Sequence, residues 1–188
     1  MIVSGERTFA APRATVWQVL NDPASMAKTM PGVESFDVHD DRRWTANVKI
    51  PLGLGGLKMK VDMEKVEERE PEFAKLAIKG NGVGAMMNME TSFTLSDAPE
   101  GGTAMAWSAD VKIAGPVGSM GQRVLQPIVN QQVQHVLGAL DVQVQDALGS
   151  SGDGDASPAV HGAEEGISPG SPEAYEAEPD GPTTSTED

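Results

Sequence analysis

The chain has 188 residues, 28 acidic and 14 basic side chains, a formal net charge of −14 and no cysteine. The lack of cysteine excludes disulfides, thiolate metal sites and cysteine nucleophiles. The acidity is uneven: residues 149–188 hold 10 acids and no base, while residues 1–148 hold all 14 bases and 18 acids, so the excess argues against nucleic acid or anionic lipid as direct partners of the C-terminal segment.

The first residues, MIVSGERTFAAPRATVW, lack a basic stretch followed by an apolar one, so a cleaved secretion signal is not expected and a cytoplasmic location is. In APRATVWQVLND, residues 11–22, Pro12 stands where a first helical residue tolerates a missing N–H, and Val16, Trp17 and Leu20 share one side of a helix. Asp22 before Pro23 reads as the N-cap of a short second helix that Pro31-Gly32 ends.

Strands follow. In RRWTANVKI, Trp44, Ala46, Val48 and Ile50 oppose Arg43, Thr45, Asn47 and Lys49, the alternation of a half-buried strand. LKMKVDME repeats it, with Leu57, Met59, Val61 and Met63 against Lys58, Lys60, Asp62 and Glu64; the slip of phase at Lys65 and Val66 predicts a bulge or bend. Three more runs alternate in the same way: Ala74, Leu76 and Ile78; Met87, Met89, Thr91, Phe93 and Leu95; and Met105, Trp107, Ala109, Val111 and Ile113. EREPE, KGNGVG and DAPEGG separate them as turns. Consecutive strands with short connections predict an antiparallel meander with one wet and one apolar face.

A last helix of roughly 45 Å follows, ending near Leu148. Met120, Val124, Ile128, Val133, Val136, Leu137, Leu140, Val144 and Leu148 form its apolar stripe, widened by Leu125 and Val129. Between Val124 and Leu140 it carries amides in place of charges, which is too polar for a membrane span. Pro127 removes one helical hydrogen bond and bends it, as a static kink or as a hinge. Such a helix belongs across the apolar face of the sheet. A helix only about 10–12 Å across cannot fill a curved sheet from edge to edge, so an apolar pocket can remain between them. The ten methionines suit either an irregular solid core or an adaptable pocket wall. From Gly149 onward the Gly, Ser, Pro and acid content predicts a disordered tail, either solubilising or holding a docking motif around Glu173 to Glu178.

Catalysis finds little support. His39, His135 and His161 have no spacing that builds a metal site, and no strand places two carboxylates on its inward phase for acid/base work. Gly80, Gly82 and Gly84 precede a strand and not a helix, so strand bends explain them better than phosphate binding. In PLGLGGLKMK the glycines fit hairpin geometry, or else a portal whose leucines dip into a membrane interface beside Lys49, Lys58 and Lys60.

The strings VWQVLNDPASMAKTMPGVESFD, ANVKIPLGLGGLKMKVDMEKVEE and GGTAMAWSADVKIAGPVGSMGQRVL together resemble the CoxG family of carbon monoxide dehydrogenase subunits, within the START-like (SRPBCC) helix-grip superfamily, over about residues 1–148. The resemblance implies an α+β fold in which a seven-stranded antiparallel sheet wraps around the long C-terminal helix, with two short helices near the start. It implies a non-catalytic carrier of a lipid quinone such as menaquinone, held without a covalent cofactor, moving between the membrane and a molybdenum-containing carbon monoxide dehydrogenase. The alternative is a membrane-recruitment or assembly factor that works by protein contacts. Some members carry a hydrophobic C-terminal anchor; the acidic tail here departs from that and favours a peripheral, transient visitor to the inner face of the membrane. The expected wall is Trp44, Val48, Ile50, Met59, Val61, Met63, Leu76, Ile78, Met89, Phe93, Met105, Trp107, Leu125, Val129, Val133 and Leu137.

Overall fold

The computed structural model describes residues 1–52 and 55–152. Its elements in chain order are β1 (Ile2–Phe9), α1 (Arg13–Asn21), α2 (Pro23–Thr29), β2 (Val33–Val38), β3 (Arg43–Leu52), β4 (Gly55–Arg69), β5 (Phe73–Gly82), β6 (Ala85–Asp97), β7 (Thr103–Ala114), a short 3₁₀ turn (Gly118–Met120) and α3 (Gln122–Gly152). The seven strands form one antiparallel sheet in the order β1-β7-β6-β5-β4-β3-β2, and α1, α2 and α3 pack with one another against it. This is the helix-grip arrangement expected from the resemblance.

The alternation read in β3 to β7 survives as burial. Trp44, Ala46, Val48, Met59, Val61, Met63, Ala74 and Ile78 are buried, while Lys58, Lys60 and Lys79 face outward. The phase slip in β4 is a bulge between Lys65 and Glu67. Val66 is turned out to solvent, and Lys65 keeps the inward phase, buried, with its ammonium 2.8 Å from Glu68. Outer strands β1 and β2 carry no such alternation of residue type. The inward phase of β1 reads Val3, Gly5, Arg7, Phe9, and a register shift between Val33 and Ser35 breaks the period of β2.

The helices depart from expectation in three places. Pro12 precedes α1 as its cap, with φ −59° and ψ 147°, one residue before the first helical position. Asp22 caps α2 as expected, its Oδ2 accepting the Ser25 N–H at 2.8 Å. The helix ends at Thr29; Gly32, three residues on, takes φ +67°, and a Cβ there would collide with the Lys49 carbonyl oxygen, so the close approach of the two segments requires glycine. Helix α3 contains Pro127 and runs to Gly152, four residues beyond the expected end; the rest of the acidic tail, residues 153–188, lies outside the described residues. Its stripe is narrower than expected at the start, because Met120 belongs to the 3₁₀ turn and both Met120 and Val124 are exposed.

Two apolar clusters support the sheet. One joins Phe9, Val16, Trp17, Val19, Phe93, Leu95 and Met105 with Leu140 and Val144 of α3, and includes an edge-on contact of Trp17 with Phe93 at 5.9 Å. The other joins Trp44, Val48, Met59, Val61, Met63 and Ile78 of β3 to β5. Arg7 and Asp141 form an ion pair that ties α3 to β1, with Arg7 Nε donating to Oδ1 at 3.2 Å.

Candidate functional site

Between these clusters the sheet and α3 enclose a partly open cavity of about 420 Å³. Its floor is the inward face of β3 to β7, its roof is α3 from Leu125 to Leu140, and its side is closed by Met26 and Thr29 of α2 and by Met30 and Pro31 just after it. Seven of the ten methionines line it: Met26, Met30, Met59, Met63, Met87, Met89 and Met105. The polar lining residues are Thr29, Thr91, Ser92 and Gln132. Thr91 Oγ1 donates to the Ser108 carbonyl at 3.1 Å. Trp107 Nε1 and Gln132 Oε1 are buried without a hydrogen-bond partner among the described residues.

Local sequence explains how the space is shaped. Gly80 lies on the inward phase of β5, and a Cβ there would meet the Met59 and Met87 methyl groups at 2.8 and 3.2 Å. The pairing of β5 with both neighbours is unbroken through Gly80 and Gly82, and Gly80 makes room for methionine tips. Gly84, at φ +82°, is a turn residue. Gly5 of β1 stands opposite Trp107, and a Cβ there would meet the indole at 3.0–3.2 Å. The missing side chain lets the ring lie over the outer strand.

Fifteen of the sixteen expected wall residues line this one cavity: Val48, Ile50, Met59, Val61, Met63, Leu76, Ile78, Met89, Phe93, Met105, Trp107, Leu125, Val129, Val133 and Leu137. Trp44 does not. It is 1% exposed and pairs with Val38 and Met63 near the far end of β3, inside the packed cluster. Alternation assigns a side chain to a face, and position along the strand decides whether that part of the face is covered. Residues not foreseen as wall include Val3, Leu20, Ala109, Ile128 and the α2 group. Met26 and Met30, one helical turn apart, were the available signal for the last of these. The tip of the β3–β4 hairpin, with Gly53 and Leu54, lies outside the described residues, and with it part of the portal expected there.

Charge is kept off the wall. No Asp, Glu, Lys, Arg or His is among the described lining residues. Asp22 caps α2, whose end closes one side of the site. Partial burial pushes its carboxyl up, but hydrogen bonds from Ser25 and Ala24 and the charge of Lys28 outweigh this and hold it below the ordinary carboxylate range.

Solved structures share this architecture. A conserved protein from Geobacillus kaustophilus superposes with a TM-score of 0.73 at 19% identity, over 78% of this chain and 97% of that one. The Zhui aromatase/cyclase from Streptomyces has a TM-score of 0.62 at 14% identity, over 81% and 98%. A START superfamily protein from Mycobacterium smegmatis has 0.59 at 16%, over 77% and 97%. At these identities the likeness concerns the fold alone. Comparison with curated protein sequences finds no match. The family model of the carbon monoxide dehydrogenase subunit CoxG matches residues 5–145, three quarters of the chain and every strand but the start of β1. The chain therefore belongs to the CoxG family of carbon monoxide dehydrogenase subunits.

Proposed function

We propose that this protein is a non-catalytic carrier of a respiratory lipid quinone, menaquinone or a close relative, which it moves between the cytoplasmic face of the membrane and a molybdenum-containing carbon monoxide dehydrogenase. The observation that carries the reading is the 420 Å³ cavity with an apolar wall and no ionisable side chain. It falls within the usual size of ligand pockets. It has room for about fourteen water-sized groups, enough for a quinone ring and the start of its chain, with a longer tail leaving by the open side.

The energetics of transfer favour such a wall. A polyprenyl chain of about twenty carbons loses well over 10 kcal/mol if moved into water, at about 0.8 kcal/mol per CH₂. A wall of methionine, valine and leucine matches the bilayer interior, so uptake and release at the membrane stay near balance. Flexible methionines adapt to the ring and the chain alike. No acid/base pair faces the cavity, and no group of metal-ligating side chains occurs among the described residues; both support binding without turnover.

Contact with an anionic lipid surface is supported by one end of the sheet. Lys49 and Lys58 stand directly opposite one another on β3 and β4, an arrangement that is destabilising unless counter-charges meet it. Glu34 meets Lys58 at 3.4 Å, and a lipid phosphate would supply a counter-charge for Lys49. Lys60 lies in one row with Asn81 and exposed Met86, and Val83, in the adjoining β5–β6 turn, is 94% exposed. Lysines around exposed apolar tips suit an anionic interface. No helix among the described residues is long and apolar enough to cross a membrane, which fits a peripheral visit. The test is organic extraction of natively purified protein followed by mass spectrometry. A stoichiometric isoprenoid quinone is expected. Protein that is free of lipid, refuses added quinone and still binds the dehydrogenase would establish the recruitment reading instead.

A further inference from the structure

Resting on the carrier reading, we infer that the roof of the cavity is its door: the stretch of α3 from Pro127 to Gly138 swings between two anchored ends to admit and release the ligand. The other walls give way less easily. The floor is a continuous seven-stranded ladder, and the α2 side is tied to β3 where the Lys49 N–H donates to the Gly32 carbonyl at 2.8 Å. Burial separates the anchors from the door. Leu125, before the stretch, is 6% exposed; Leu140 and Val144, after it, are 4% and 2% exposed and belong to the cluster of Trp17 and Phe93. Between them Ile128, Val129, Gln132, Val133, Val136 and Leu137 line the cavity, and every one is only half-buried. Side chains that border a cavity have fewer packing partners than those inside a cluster, so lifting this stretch gives up less contact.

Each end of the stretch carries a residue that weakens a helix. Pro127 has no N–H to donate to the Arg123 carbonyl, and its ring crowds that oxygen. Gly138 is exposed, and a Cβ there would meet nothing within 4 Å, so packing does not call for glycine. What glycine supplies is backbone freedom, which lowers the helical state about fivefold against alanine. From Val124 to Leu140 there is no Lys, Arg, Asp or Glu, so no charged pair one turn apart stiffens the stretch. The first charge after it, Asp141, holds α3 to β1 through Arg7, which fixes the anchor just beyond the Gly138 hinge. Hinges of this kind, a few residues at the ends of a moving element, are how lids open and close over a bound guest.

The test compares Gly138→Ala with Gly149→Ala in the full-length protein. Gly149 lies in the same helix and a Cβ there also meets nothing within 4 Å, but it stands beyond both anchors. Amide hydrogen exchange on the ligand-free protein should show residues 128–138 opening at least about tenfold faster than residues 139–148, and Gly138→Ala should slow the faster set about fivefold. Transfer of a short-chain menaquinone to and from phosphatidylcholine vesicles should slow by the same factor. Uptake and release use one door, so the equilibrium partition should stay within about twofold of wild type. Gly149→Ala should change neither exchange nor transfer. Uniform exchange along α3, or Gly138→Ala protein that exchanges and transfers at wild-type rates, would overturn the door. Equal slowing by both alanines would overturn it too, since that reports general stiffening of the helix. Protein that rejects menaquinone while residues 128–138 open as expected would overturn the carrier reading and leave the door standing.

Discussion

Enlarging Ala109 to isoleucine should stabilise the ligand-free protein. Ala109 sits on the inward face of β7, 7% exposed, and its side chain borders the cavity. In a filled interior, three added carbons would force side chains off their rotamers and cost about 1–3 kcal/mol. Against the cavity the same carbons enter free apolar space and bury about 0.8 kcal/mol each, some 2.4 kcal/mol. Fixing the new side chain takes back about 0.5–1 kcal/mol, which leaves a gain of about 1.5 kcal/mol. A β-branched residue also suits the strand. For a domain of this size that gain corresponds to a rise in Tm of about 3–6 °C. The assay is thermal unfolding by circular dichroism on delipidated protein, with quinone uptake measured alongside. Uptake should fall as Tm rises, because the added carbons occupy ligand space. A fall in Tm would refute the reasoning, since it would mean that the wall at Ala109 is already closed.

Asp22→Ala should cost about 1 kcal/mol through the lost cap of α2, and quinone retention should drop because Met26, Thr29 and Met30 of that helix and its end form one side of the cavity; urea titration and ligand retention check both. The Asp22 carboxyl titrates below its ordinary value in the folded chain. Its contribution to stability is therefore complete above about pH 4 and lost as the pH falls further, and an acid titration of Asp22→Ala should lack that component. A double-mutant cycle of Arg7→Ala and Asp141→Ala should give a coupling of about 0.5–1 kcal/mol, falling with added salt, because the pair joining α3 to β1 is partly exposed. For Gly80→Ala the nearest atoms to the added methyl are the tips of Met59 and Met87 and the Met87 Cβ; the tips can swing aside, so unfolding should shift by less than about 1 kcal/mol, while bound quinone per protein decreases.

Much of the sheet was legible because its inner strands obey a strict two-residue rule. Met59, Val61 and Met63 against Lys58, Lys60 and Asp62 identify two faces without reference to any other part of the chain. The outer strands were not legible in that way. The inward phase of β1 holds glycine and arginine, Gly5 serving the ring of Trp107 and Arg7 an ion pair with α3, so its pattern makes sense only once its partners are in place. The bulge in β2 hides Val33 and Phe36 from the same rule. The α2 wall was missed for a related reason. Met26 and Met30 are spaced for a helix face, but nothing in so short a helix says which cavity that face will close.

What the sequence determined by itself is the chemistry of each face of the inner strands: which side chains turn inward, that they are apolar and rich in methionine, and that charge, Lys65 at the bulge apart, stays on the other face. Those properties follow from local backbone geometry, two residues at a time in a strand and three or four in a helix. Whether the inward faces would mesh or stand apart was decided only by tertiary structure. The space beneath α3 is a difference between the curvature of the sheet and the volume of side chains drawn from strands and helices together, and no short stretch of chain contains that difference. Trp44 and Trp107 make the point as a pair. Both are tryptophans on the inward phase of a strand with a buried, unpaired N–H, yet one is sealed within packed neighbours and the other lines the cavity.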